Sequence, residues 1–275
     1  MSRKTLMIGV LVVFALSFAT AADRTTPAAN LTAAEIVNKN ISATGGLEAW
    51  RSVKSMMMKG KMQAGGNARP TLPVPGPKTG KQMPRPRPAQ QAELPFTLEL
   101  KRPRKMRVEL QFNGQTAIQV YDGVNGWKLR PFLNRHEVEP YTPEEMKSAS
   151  LQAELDGPLV DYAAKGTKVE LEGLEKVENK PAYKLKLTLK NGQAQHVWVD
   201  AQSFLQVKME VAPRRMDGKY RPVFVYLRDY KTVSGVMVPH LLETVVDGAN
   251  QDERIEIESV TVNAKLDDAL FGKLK

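Results

Sequence analysis

The chain has 275 residues and no cysteine, with 40 Lys and Arg against 30 Asp and Glu, a formal net charge of +10. The length gives ample material for one large core, and the missing thiols exclude disulfides, thiolate metal sites and cysteine catalysis. The basic residues alternate with apolar ones along the chain, as on the solvated face of a sheet, so no nucleic-acid partner is expected.

The opening "MSRKTLMIGVLVVFALSFATAAD" carries Arg3 and Lys4, an apolar run from Leu6 to Phe18, and small residues at Ala19, Thr20 and Ala21. This is the layout of a secretory signal with cleavage after Ala21. The apolar run is shorter than the ~20 residues that cross a bilayer. Residues 22–275 are then expected to form a single periplasmic domain.

"LTAAEIVNKNISATGG" predicts a helix, with Thr32 and Glu35 at capping-box spacing and Gly45 and Gly46 as the stop. "LEAWRSVKS" adds a turn that docks Trp50 and Val53. From Met56 the apolar period changes to two, and "MMMKGKMQA" predicts a first strand. The Pro-rich, basic stretch at about 67–95 lacks large apolar residues and predicts a disordered insertion. Its "GPKTGK" is one residue short of a phosphate loop, with Gln82 where Ser or Thr is required.

Beyond it, Phe96, Leu98 and Leu100, then Met106, Val108, Leu110 and Phe112, alternate with polar residues. "QTAIQVYDGVNGWKLRPF" reads as strand, turn, strand. "TPEEMKSASLQAEL" reads as a helix capped by Thr142, with Pro143 in its first position. Further strands follow, and "KNGQ" predicts a two-residue hairpin turn at Asn191-Gly192. That register would set Leu187 opposite His196 and Leu185 opposite Trp198. The total is about ten antiparallel strands and two or three helices, a mainly β fold of the α+β class, without the alternation of a parallel fold.

Chemistry is sparse. The three His residues, His136, His196 and His240, lie in no metal-ligand or catalytic spacing. Asp122 and Asp156 precede Gly, where Asp serves turns. An enzyme is not expected, nor a cofactor or metal. Tyr183, Leu185, Leu187 and Leu189 share one strand face, and Lys184, Lys186 and Lys190 the other. At this level the apolar face is either solid core or the lining of a pocket.

"ELKRPRKMRVEL" followed by "VYDGVNGWKLRPF" resembles the core motif of the LolA/LolB-like superfamily, the periplasmic lipoprotein carriers and their outer-membrane receptors. The motif is met by Lys101, Arg102 and Pro103, then Met106 and Val108, then Asp122, Gly123, Trp127, Pro131 and Phe132. The resemblance implies a strongly curved, unclosed antiparallel barrel with helices as a lid. It implies that lipid or lipoprotein acyl chains lie within, and that membrane proteins of the inner or outer membrane load and receive them. The cavity would be lined by Met106, Val108, Leu110, Trp127, Tyr183, Leu185, Leu187 and Trp198, and Arg102 would tether the lid and gate transfer. The alternative is the same fold with a filled core, binding an envelope protein or an anionic membrane surface through its basic face.

Overall fold

A computed structural model describes residues 31–64, 92–216, 218–248 and 252–274. The signal segment and residues 67–91 of the Pro-rich stretch lie outside them.

Thirteen strands form one antiparallel sheet in the order β6-β5-β4-β3-β2-β1-β13-β12-β11-β10-β9-β8-β7. The strands are β1 Ser55–Ala64, β2 Ala92–Lys101, β3 Lys105–Phe112, β4 Gln115–Tyr121, β5 Gly126–Arg130, β6 Arg135–Pro140, β7 Lys168–Val177, β8 Lys180–Thr188, β9 Ala194–Asp200, β10 Gln206–Met216, β11 Lys219–Val233, β12 Val236–Val246 and β13 Asp252–Val262. β2 takes in Ala92–Pro95, the end of the stretch read as an insertion. β6 is the strand that sequence periodicity passes over, because "RHEVEP" is polar and exposed at the sheet's edge.

Every sheet neighbour is also a chain neighbour except β1 and β13, which pair antiparallel. The chain therefore starts in mid-sheet, runs out to β6, returns at the opposite edge as β7 and walks back to β1. β6 and β7 do not pair, so the barrel is unclosed.

Three helices accompany the sheet: α1 Ala33–Ala43, α2 Leu47–Ser52 and α3 Pro143–Gln152. Both α1 and α3 begin in complete capping boxes, Thr32 with Glu35 and Thr142 with Glu145, the second with Pro in its first turn. α3 and residues 153–167 carry the chain from edge to edge across the inner face. Ala149, Ala153, Leu155, Leu159 and Val160 from this connection join one core with Ile36 and Val37 of α1. The same core holds Tyr121 of β4 and Leu187 of β8. These strands are far apart in the sheet order, so they meet only because the sheet curls.

The outer face is covered twice. A short 3-10 turn, Asp268–Phe271, buries Phe271 and accepts a hydrogen bond from Arg107 at Leu270 O (3.1 Å). Farther along, Trp198 packs with Val177, Ala182, Val207, Phe224 and Tyr226.

Candidate functional site

Cross-strand partners share a face, so the ladders decide which side chains point inward. On one half of the sheet, Met56 pairs with Leu100, Leu100 with Met106, and Met106 with Tyr121. All four belong to the core under the helices. Tyr121 in turn pairs with Gly126, and Val120 pairs with Trp127. Trp127 therefore lies on the outer face, away from Met106, and is not a lining residue of the interior. Its neighbour Lys128 points inward and is buried, its Nζ 2.6 Å from Glu145 Oε1 of α3.

The β8–β9 hairpin corrects a second group. Leu189 N–H donates to Gln193 O (2.9 Å), so the loop is Lys190-Asn191-Gly192, three residues, with Gly192 at φ 82°. The extra residue slips the register by one. Leu187 faces Gln195, Leu185 faces Val197, and Lys184 faces Trp198. Trp198 is thus outside, where its indole N–H donates to Glu175 (2.8 Å) and Lys208 sits 4.4 Å above its ring. Lys208 also lies 4.0 Å over the Phe224 ring, and burial holds its ammonium below its ordinary pKa.

Of the remaining residues expected in a cavity, Met106, Tyr183, Leu185 and Leu187 are buried core, and Tyr183 stacks on Phe204. Val108 packs against that core, and Leu110 is half-buried beside Phe96 and Ala117. This part of the interior is filled, because α1 sets Ile36 and Val37 onto it.

Open space lies elsewhere. A cavity of about 400 Å³ runs beneath the end of α3, with Leu151 of that helix above a floor of Met209, Val211 and Leu189. A smaller one of about 200 Å³ lies between Met56, Met58, Tyr230 and Val238. Glu154 and Pro158 wall both, so the segment after α3 is the partition between them. The sequence signal for this floor is the alternation in β10, where Met209 and Val211 interleave with Lys208 and Glu210. The partition itself has no periodicity to betray it.

That segment is held by charge-assisted hydrogen bonds. Arg102 Nε donates to Val53 O (2.8 Å), and Arg102 Nη2 donates to Asp156 Oδ2 (2.7 Å). The Asp156 side chain is 2% exposed, and its other oxygen accepts from Lys165 Nζ (2.5 Å). Arg104 donates to Ser150 O (2.8 Å) and pairs with Glu154 (2.8 Å). With Lys128–Glu145 at the start of α3, both ends of the helical cover are tied to the sheet. The ties at its far end come from the Arg102–Arg104 turn between β2 and β3.

The "DGVNG" hairpin is architectural. Asp122 accepts the N–H groups of Val124 (2.8 Å) and Asn125 (2.7 Å). Burial pushes its carboxyl up, but those hydrogen bonds outweigh it and hold it below the usual range. Gly126 leaves room for the Tyr141 ring, which a Cβ would meet at 2.0 Å. The three His residues lie on three strands, β6, β9 and β12. His196 contacts Glu210 on the outer face, and His240 is within hydrogen-bond distance of Val238 O. No group of three metal-type donors occurs among the described residues.

This geometry separates two kinds of variant. On the expectation from the sequence that acyl chains lie within, Trp127→Phe and Trp198→Phe, on the outer face, leave uptake of a fluorescent fatty acid unchanged. Met209→Asp, on the cavity floor, is expected to lower it by about tenfold or more, since an apolar cavity does not accept an unpaired charge. Equal losses from all three would mean that binding is not at this cavity.

The backbone matches that of a LolA superfamily protein from Nitrosomonas europaea, with TM-score 0.55, 13% identity and coverage of 88% of this chain and 98% of that one. It also matches a domain assigned to outer-membrane lipoprotein sorting from Vibrio parahaemolyticus, with TM-score 0.54, 13% identity and coverage of 87% and 95%. A DUF1329 family protein from Desulfovibrio piger gives TM-score 0.55 at 14% identity, covering 87% and 97%. A family model described as an uncharacterized protein matches residues 160–275. No curated protein matches the chain. The fold is LolA-like.

Proposed function

We propose that this chain is a non-enzymatic periplasmic carrier of lipid or lipoprotein acyl chains, exported by a signal segment cleaved after Ala21. Its work would be outer-membrane lipoprotein sorting or envelope lipid traffic, with membrane proteins loading and receiving the cargo. The observation that carries this reading is the apolar-floored cavity of about 400 Å³ under a cover tied down by polar contacts. That volume is within the usual range for small-molecule sites. The likeness to a domain assigned to lipoprotein sorting supports the same reading.

The physics of a carrier fits such a cover. Hiding a 16-carbon chain from water is worth on the order of 12 kcal/mol. A carrier must supply most of that and still let go. If loading lifts the segment after α3, cargo competes with the Arg102–Asp156 tie, which favours the closed, empty state. Loss of the tie then stabilises the loaded state relative to the empty one. Arg102→Leu is expected to capture a fluorescent fatty acid normally but to pass it to acceptor vesicles about tenfold more slowly, the worth of one charge-assisted bond. Transfer at the wild-type rate would remove Arg102 from the gating role.

Native mass spectrometry of the mature protein from its own periplasm, with lipid extraction alongside, tests the reading as a whole. A stoichiometric acylated ligand is expected. The contrary outcome is an apo mass together with no uptake of fluorescent fatty acid. It would favour the filled-core interaction domain, for which the fully buried Leu185, Leu187, Val197 and Val199 speak.

A further inference from the structure

We propose that the cavity beneath the end of α3 selects a phosphate-bearing, anionic amphiphile, with the head group held at the Thr167–Gln195–Lys190 end. This rests on the carrier reading and narrows it.

Thr167 and Gln195 are each 7% exposed, and both line this cavity. Neither side chain makes a hydrogen bond within the protein, among the described residues. Buried amides and hydroxyls are otherwise almost always paired, and the space these two share is the cavity itself. Gln195 stands on the inner face opposite Leu187, so the fold sets an amide into an otherwise apolar row. Leu in its place would extend that row at no polar cost. A polar group kept there without an internal partner points to a ligand that supplies one.

Charge gives the sign of that ligand. The ionisable residues lining the cavity are Arg104, Lys165 and Lys190 against Glu154. Arg104 and Lys165 both pair with Glu154, and Lys165 also with Asp156. Lys190 makes no ion pair among the described residues. Its methylenes lie where a Cβ on Gly166 would touch them at 3.3–3.5 Å, so the side chain is stationed at the rim. With an amide and a hydroxyl lining the same cavity, an ammonium at its rim adds donors for an acceptor-rich anion such as a phosphate monoester. No aromatic ring lines the cavity, so it lacks the cage that a quaternary ammonium head requires. Leu151, Leu189, Met209 and Val211 give the apolar lining for the chain.

The experiment titrates the full mature chain with three probes that share one oleoyl chain and differ in the head: lysophosphatidic acid, monooleoylglycerol and lysophosphatidylcholine. At low salt, lysophosphatidic acid is expected to bind about fivefold or more tighter than the others, and added salt to erode the advantage. Lys190→Glu and Gln195→Leu are expected to abolish that preference, bringing lysophosphatidic acid to the affinity of monooleoylglycerol. Lys190 is exposed on a loop, so its variant reports even where Gln195→Leu disturbs the fold. Equal affinity for the three probes would overturn the head-group assignment and leave the carrier reading standing. No binding of any probe would overturn both. Glycerol 3-phosphate binding as tightly as lysophosphatidic acid would mark a site for soluble phosphates and overturn the assignment to an amphiphile.

Discussion

Asp156→Ala is expected to destabilise the protein by about 3–5 kcal/mol in urea denaturation, the range for removing one partner of a buried ion pair. Its carboxylate is 2% exposed and receives Arg102 on one oxygen and Lys165 on the other. Without it, two cations remain close together around an empty acceptor site. The Arg102 guanidinium keeps its bonds to Val53 O and Trp50 O, so it stays in place, and the two charges repel. The segment after α3 loses one of its anchors, which loosens the partition that Glu154 and Pro158 make between the two cavities. Asp156→Asn, which retains an acceptor but not the charge, is expected to fall between wild type and Ala. A loss below about 0.5 kcal/mol for Ala would show that this carboxylate does not hold the cover.

Gly60→Ala is expected to cost about 3 kcal/mol or more, lowering the thermal midpoint by roughly 10 °C for a domain of this size. A Cβ at Gly60 would lie 1.9 Å from Glu256 O and 3.0 Å from Ile257 Cα. Both obstacles are backbone, so no side chain can rotate away. The contact falls where β1 meets β13, next to the register shift between Lys59 and Gly60. A bulge there bends the sheet, and glycine permits the close approach. β1–β13 is also the one pairing between strands distant in sequence, so damage there separates the two halves of the sheet. Gly272→Ala is the control: its Cβ would meet nothing closer than Ala269 O at 3.5 Å. If both substitutions shift the midpoint equally, the close approach at Gly60 is not what matters.

Local chemistry was readable where it was self-sufficient. The capping boxes at Thr32 and Thr142 need only residues three positions on, and both helices start there. The alternation of Met106 and Val108 with Arg107 and Glu109 placed β3, since one face meets the core and the other carries paired charges. The hairpin after Tyr121 followed from Asp122, whose carboxylate satisfies its own turn.

Facing was harder to read, for a physical reason visible in "HVWVD". Val197 and Val199 form one apolar face, while His196 and Trp198 form another that also buries well. Hydrophobicity then ranks two registers almost equally, and a loop one residue longer than its Asn-Gly dipeptide suggests selects between them. Trp127 and Lys128 show the same limit. Alternation would bury the indole and expose the amine, but Glu145, 17 residues on in α3, supplies a partner that draws Lys128 inside.

The sequence by itself determined the class of fold and most strand and helix positions. Those depend on period, capping and turn chemistry within a few residues. Only the tertiary structure decided that Trp127 and Trp198 face outward, that the Leu185–Leu187 region is filled, and that a cavity lies under the end of α3. Those outcomes depend on what packs across the curled sheet. Partners such as Asp156 for Arg102, or an unpaired Gln195 beside Thr167, are neighbours in space that no local pattern in the chain encodes.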